Sequence, residues 1–183
     1  MIPAGYMAKI IVKKPDLLKA KDVQSIYSVS GCISKDFADY DHFWKHNKFW
    51  FFDSVEIIKE ISKENNVNLS KAEILYYEIY EKEFDEKSKK WNYFENKNSF
   101  GYLGSDVKKP ENKYLLGYDI VNYIVSPGPE CSVFSCNYLA ENVKINKYCL
   151  MDSFEETKEI VETLGISKCE PGPYRIFAVY KID

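Results

Sequence analysis

The chain has 183 residues, with 25 basic and 28 acidic side chains, a formal net charge of −3, 45% hydrophobic residues and 16% aromatic ones. That length suits one domain, or two small halves sharing a core, and needs no disulfide or metal staples to fold. The balance of hydrophobicity and charge excludes a disordered chain, and the mild acidity argues against nucleic acid as the main partner.

The opening segment Tyr6 to Val12 reads as an apolar strand. Its run Ile10-Ile11-Val12 is too brief for a signal-peptide core. No stretch approaches the ~20 apolar residues of a membrane helix. The expectation is a cytoplasmic protein with no membrane contact. Next come a small-residue loop, Ser28 to Ser34 with Cys32, and a short possible helix over 36–44.

The segment Asn47 to Ile61 follows, and it has an echo in Asn146 to Ile160. Without gaps, eight of the fifteen positions are identical: Asn, Lys, Asp, Ser, Glu, Lys, Glu and Ile. In each copy a short apolar run predicts a strand. Asp53 or Asp152 then stands at a predicted N-cap, with Glu56 or Glu155 three residues on, and a helix follows. These helices are expected to end near Asn65-Asn66 and at Gly165.

Ser70-Lys71-Ala72-Glu73 has a capping-box pattern that permits a helix. The density of strand formers in Leu75 to Tyr80 favours a strand instead. Asp85 to Lys89 reads as a turn and Trp91 to Phe94 as the return strand of a hairpin. A polar linker reaches to about 113. The second unit repeats the order of the first: an apolar segment Tyr114 to Val125, a small-residue loop Ser126 to Ser132 with Cys131, a short possible helix over 136–142, the echoed segment, and a strand-like end from Tyr174 to Ile182.

The fold class these patterns imply is α+β. Two related strand-helix-strand-helix-strand halves, 1–84 and 114–183, flank a hairpin and linker at 85–113. The halves are expected to form one compact unit by internal duplication, with mixed sheets and helices packed on one face.

Chemical motifs are sparse. Glycine-rich phosphate loops and a serine nucleophile elbow are missing. His42 and His46 are the only histidines, and share a helix face if that stretch is helical, but their aromatic neighbours suit packing better than metal ligation. Cys131 and Cys136 are spaced too widely for the usual zinc pair. Cys136 at a helix start, with His42 or His46 as base, makes a weak candidate nucleophile. All five cysteines are expected as free thiols, with no zinc and no cofactor. The aromatic excess, including Trp44, Trp50, Trp91 and Tyr93, points to contact surface, because Tyr and Trp combine large area with a polar handle. The leading functional expectation is therefore a binding module of immunity, antitoxin or adaptor type, with another protein as partner. A small cleft enzyme using Cys136 is the alternative.

Overall fold

The computed structural model describes residues 1–36, 46–94, 106–124, 128–163 and 169–183. The chain is α+β. Its strands are β1 (Ile2–Ile10), β2 (Val12–Lys13), β3 (Ser25–Ile26), β4 (Lys35–Asp36), β5 (Glu73–Ile79), β6 (Lys82–Asp85), β7 (Lys90–Tyr93), β8 (Lys113–Asn122) and β9 (Tyr174–Ile182). Its helices are α1 (Val55–Glu64) and α2 (Phe154–Thr163). One sheet has the order β4-β1-β5-β9, with β8 on the far side of β9, and β6 continuing beside β9 to carry β7. A separate ribbon joins β2 to β3. The pairings among the described residues are antiparallel, not mixed as expected.

The central pairing sets Tyr77 opposite Val179. Tyr77 also stands opposite Gly5 on β1, and Val179 opposite Gly117 on β8. A register shift precedes each glycine, between Pro3 and Gly5 and between Leu115 and Gly117. The block β1-β5-β9-β8 therefore reads alike from either edge.

The echoed segments explain the two bulges. Asn47 Nδ2 donates to Ala4 O and Asp53 Oδ1, both at 2.8 Å, while its Oδ1 accepts from Phe49 N at 2.9 Å and Phe51 N at 3.2 Å. Asn146 Nδ2 donates to Leu116 O and Asp152 Oδ1, both at 2.8 Å, and its Oδ1 accepts from Tyr148 N at 2.9 Å and Leu150 N at 3.3 Å. Trp50 and Cys149 adopt the left-handed conformation at matching places, with φ of 68° and 64°. Phe52 then exchanges two backbone hydrogen bonds with Tyr6, as Met151 does with Tyr118. The glycines are required where these loops cross the strands. A Cβ on Gly5 would stand 2.7 Å from Phe52 O, and one on Gly117 2.6 Å from Met151 O. Both residues also have φ in the glycine-favouring range, 134° and 144°.

This corrects two expectations. The apolar runs at 47–52 and 146–151 are not strands but asparagine-centred loops that touch the sheet through single bridges, Tyr6 with Phe52 and Tyr118 with Met151. The turn satisfies their backbone groups locally, so a ladder is not needed. The helix caps lie one residue later than predicted. Ser54 Oγ accepts from Ile57 N at 3.4 Å, and Ser153 Oγ from Glu156 N at 3.3 Å. Asp53 and Asp152 instead face back toward their asparagines. Of the predicted helix over 36–44, Asp36 belongs to β4 and 37–44 lie outside the described residues, as does the predicted helix end at Gly165. That over 136–142 shrinks to a 3-10 turn at Leu139–Glu141. The turn and return strand formed as read, but β7 pairs with the unforeseen short strand β6, while β5 pairs with β1 and β9; α1 ends at Asn65.

Many of the aromatic side chains among the described residues are core. Tyr76, Tyr77, Tyr174, Phe49, Phe51, Phe52, Phe134 and Phe177 are fully buried. One cluster gathers residues of β1, β5, α1 and the Asn47 loop. The other gathers residues of 18–26, β8, β9, α2 and the Asn146 loop.

Candidate functional site

Where the outer strands β1 and β8 approach the small-residue loops, the core turns polar. Lys9 is fully buried on β1. Its Nζ donates to Ser28 O at 2.8 Å and to Val29 O and Ser30 O at 2.7 Å. Those three carbonyls make the ammonium tolerable in the interior. Asp119, fully buried on β8, accepts from Val29 N at 2.8 Å, Ser132 Oγ at 2.7 Å and Ile120 N at 2.9 Å. Burial pushes its carboxyl up to about 6, against the downward pull of the Ser132 and Val29 hydrogen bonds and of the Lys9 charge. One carboxylate thus pins both small-residue loops. Ser30 Oγ adds a direct tie by accepting from Ser132 N at 3.3 Å.

The loops so fixed present three thiols to one another. The sulfurs of Cys32, Cys131 and Cys136 all lie within 4.8 Å of each other. Cys32 Sγ stands 3.2 Å from Cys131 Sγ and donates to Glu130 O at 3.0 Å. Cys136 Sγ lies 3.6 Å from Ser30 Oγ and 3.9 Å from Ser135 Oγ. The neighbouring Cys136 thiol favours the Cys32 thiolate and lowers its pKa. The proximity of Cys32, with burial, pushes the Cys136 thiol well up. Burial and the nearby Glu170 carboxylate push Cys131 up to about 12. All five cysteines are free thiols in the structure.

Of the residues expected to carry function, His42 and Trp44 lie outside the described residues. His46 is fully buried, its ring centroid 4.6 Å from that of Trp50 and 4.5 Å from that of Phe52. Cys136 sits in a turn, its N–H donating to Ser132 O at 2.9 Å, not at a helix start. The Trp50 ring lies against Gly128, where a Cβ would stand 2.5 Å from its Cδ1. Trp91 is half-buried between Tyr80 and Phe84, and its indole N–H donates to Glu162 Oε1 at 2.6 Å. Of these aromatics, among the described residues, only Tyr93 is strongly exposed, at 66%.

Sequence reasoning missed Lys9 and Asp119, and missed that Cys32 joins Cys131 and Cys136. The one signal for the thiols was the resemblance between the two small-residue loops, each with a cysteine. The charges gave none, since a lysine in Ala8-Lys9-Ile10 and an aspartate in Tyr118-Asp119-Ile120 read as ordinary strand alternation.

A second feature lies at the hairpin. A groove of about 510 Å³ runs between β6–β7 and the turn Pro171-Gly172-Pro173. Its lining carries Glu83, Asp85 and Glu86 against Lys87, with Tyr93 at the wall. Glu83 Oε2 accepts from Arg175 Nη2 at 2.9 Å and Nε at 3.0 Å. The guanidinium is itself held over Phe94 and Tyr123, 3.4 and 3.8 Å from the ring centroids. Glu86 Oε2 accepts from Gly172 N at 3.3 Å, which ties the two walls together.

No helix among the described residues is long and apolar enough to cross a membrane. Comparison with family models, curated proteins and solved structures returns no significant match, so the reading of the site rests on this chain's own residues.

Proposed function

We propose that the chain is a cytoplasmic protein-binding module of immunity, antitoxin or adaptor type, and that the hairpin groove receives a basic segment of its partner protein. The observation that carries this reading is the groove's make-up: the Asp85 and Glu86 carboxylates, beside a Glu83 already held by Arg175, face one ammonium next to the exposed Tyr93 ring. Charge of one sign in a concave surface steers and orients an oppositely charged partner, and an exposed tyrosine supplies contact area with few rotors to order. The Arg175 clamp and the Glu86–Gly172 bond fix the walls before binding, which reduces the ordering cost. The cleft-enzyme alternative has less support, because His46 is stacked among aromatics and the Cys136 thiol is held protonated.

Titration of the full chain with a Lys- and Arg-bearing peptide and with an acidic one of equal length tests the reading. The basic peptide should bind saturably, weaken with added salt, and lose affinity in Glu86→Gln and Tyr93→Ala. Equal binding of both peptides, or indifference to both substitutions, would refute it.

We propose also that the two halves, 1–84 and 114–183, arose by internal duplication and form one unit, with both helices on one face of the sheet. The repeated Asn–Gly–Asp–Ser geometry supports this, as does the packing of α1 on β1 and of α2 on β8 and β9.

A further inference from the structure

We propose that Cys32, Cys131 and Cys136 form a binding site for a thiophilic d10 metal ion. The three sulfurs come from two loops brought together by the fold, and all lie within 4.8 Å of one another. With a metal–sulfur bond of about 2.3 Å, the sulfurs of a tetrahedral site stand roughly 3.8 Å apart. The trio needs only small side-chain rotations to reach that spacing.

The surroundings are those of a site held ready. Lys9 fixes the carbonyls of Ser28, Val29 and Ser30, immediately before Cys32. Asp119 fixes Val29 on one loop and Ser132, beside Cys131, on the other. Such outer contacts orient ligands and tune affinity. Cys32 is exposed, so an ion has an entry path and solvent can fill a fourth position. Soft sulfur donors select zinc or copper(I) over magnesium or calcium. Binding displaces thiol protons, so it strengthens as pH rises.

The test uses the reduced full-length protein, titrated with Co²⁺ as a spectroscopic stand-in for Zn²⁺ and, in a separate arm, with Cu(I) under a competing chelator. Expected is one equivalent of ion, with thiolate-to-cobalt charge-transfer absorption in the first arm, abolished by Zn²⁺. Cys32→Ser, Cys131→Ser and Cys136→Ser should each lose at least tenfold in affinity, and Cys169→Ser should lose none. Because Cys136→Ser is the variant most exposed to misfolding, alkylation of the wild-type protein is mapped with and without the ion. Protection of Cys32, Cys131 and Cys136, with Cys169 unchanged, supports the site. Uptake in the cobalt arm assigns zinc, and uptake in the copper arm alone assigns copper(I). Uptake of neither ion, or binding that survives Cys32→Ser and Cys131→Ser together, overturns the proposal.

Discussion

Lys9 and Asp119 grip opposite sides of one residue. Val29 gives its carbonyl to the Lys9 ammonium at 2.7 Å and its N–H to the Asp119 carboxylate at 2.8 Å. One charge comes from β1 and the other from β8, so the loop carrying Cys32 is held from both outer strands. Lys9→Met would leave three carbonyls without their donor and a buried carboxylate without its nearest cation. The expected cost is about 3 kcal/mol or more, read from urea unfolding with an unchanged slope. A loss below about 1 kcal/mol would mean that the ammonium does not hold the loop.

Asp119 also makes a pH prediction. Its folded pKa, about 6, is raised above the ordinary value of 3.8. The folded state therefore binds the proton more tightly than the unfolded state. The associated stability is fully present below about pH 4 and lost as pH rises through about 6. The stability of the wild type minus that of Asp119→Asn should fall over this window, by up to about 3 kcal/mol, and be level above it. Subtracting the variant cancels other titrating groups. A difference that rises with pH between 4 and 6 would contradict the assignment.

The paired glycines and asparagines should respond in pairs. Gly5→Ala and Gly117→Ala each combine a disfavoured φ with a methyl forced against a carbonyl oxygen and a side chain. Each should cost about 2 kcal/mol or more. Asn47→Ala and Asn146→Ala leave backbone N–H groups of their loops unpaired, with losses of about 1–3 kcal/mol each. Thermal melts of the four variants check this. A tolerant member in either pair would break the equivalence of the two loops.

The cap positions show how far the sequence could be read. Asp-Ser-x-Glu in both copies announced a helix start, and helices do start there. Two acceptors stand side by side, and sequence alone does not choose between them. The structure makes Ser54 and Ser153 the caps because the aspartates are drawn back by Asn47 and Asn146, whose role is visible only once Ala4 and Leu116 are in place. Ser54→Ala and Ser153→Ala should therefore cost about 1 kcal/mol each as lost caps. Asp53→Ala should instead loosen the Asn47 loop and free the N–H of Asp106, which now donates to Asp53 Oδ2 at 3.0 Å. Hydrogen exchange separates the two outcomes, with faster exchange at the first turn of α1 for Ser54→Ala and at Phe49 and Phe51 for Asp53→Ala. The strands β5, β7, β8 and β9 were legible from strand-forming residues and turn signals; the short β6 was not. The thiol seam was not, because it depends on loops 98–106 residues apart meeting through the buried charges.

The thiols should differ sharply in reactivity when metal-free. Cys32 is exposed, and the neighbouring Cys136 thiol lowers its pKa, so it has both access and thiolate character. Cys136 is less exposed and its thiol is pushed well up by the proximity of Cys32 and by burial. Cys149 is buried in the core, and burial pushes its thiol up as well. Iodoacetamide at neutral pH should therefore modify Cys32 first, Cys136 slowly and Cys149 last, as read by mass spectrometry of digests at timed quench. The coupling makes a sharper demand. Cys136→Ala removes the neighbouring thiol that favours the Cys32 thiolate, so Cys32 should then react more slowly at neutral pH although it is no less exposed. The difference should close at high pH, where Cys32 is ionised in both proteins. A Cys32 rate unchanged by Cys136→Ala would show that the two sulfurs do not share a proton in solution. Fast labelling of Cys136 itself, suppressed by His46→Ala, would restore the nucleophile reading in place of the binding one.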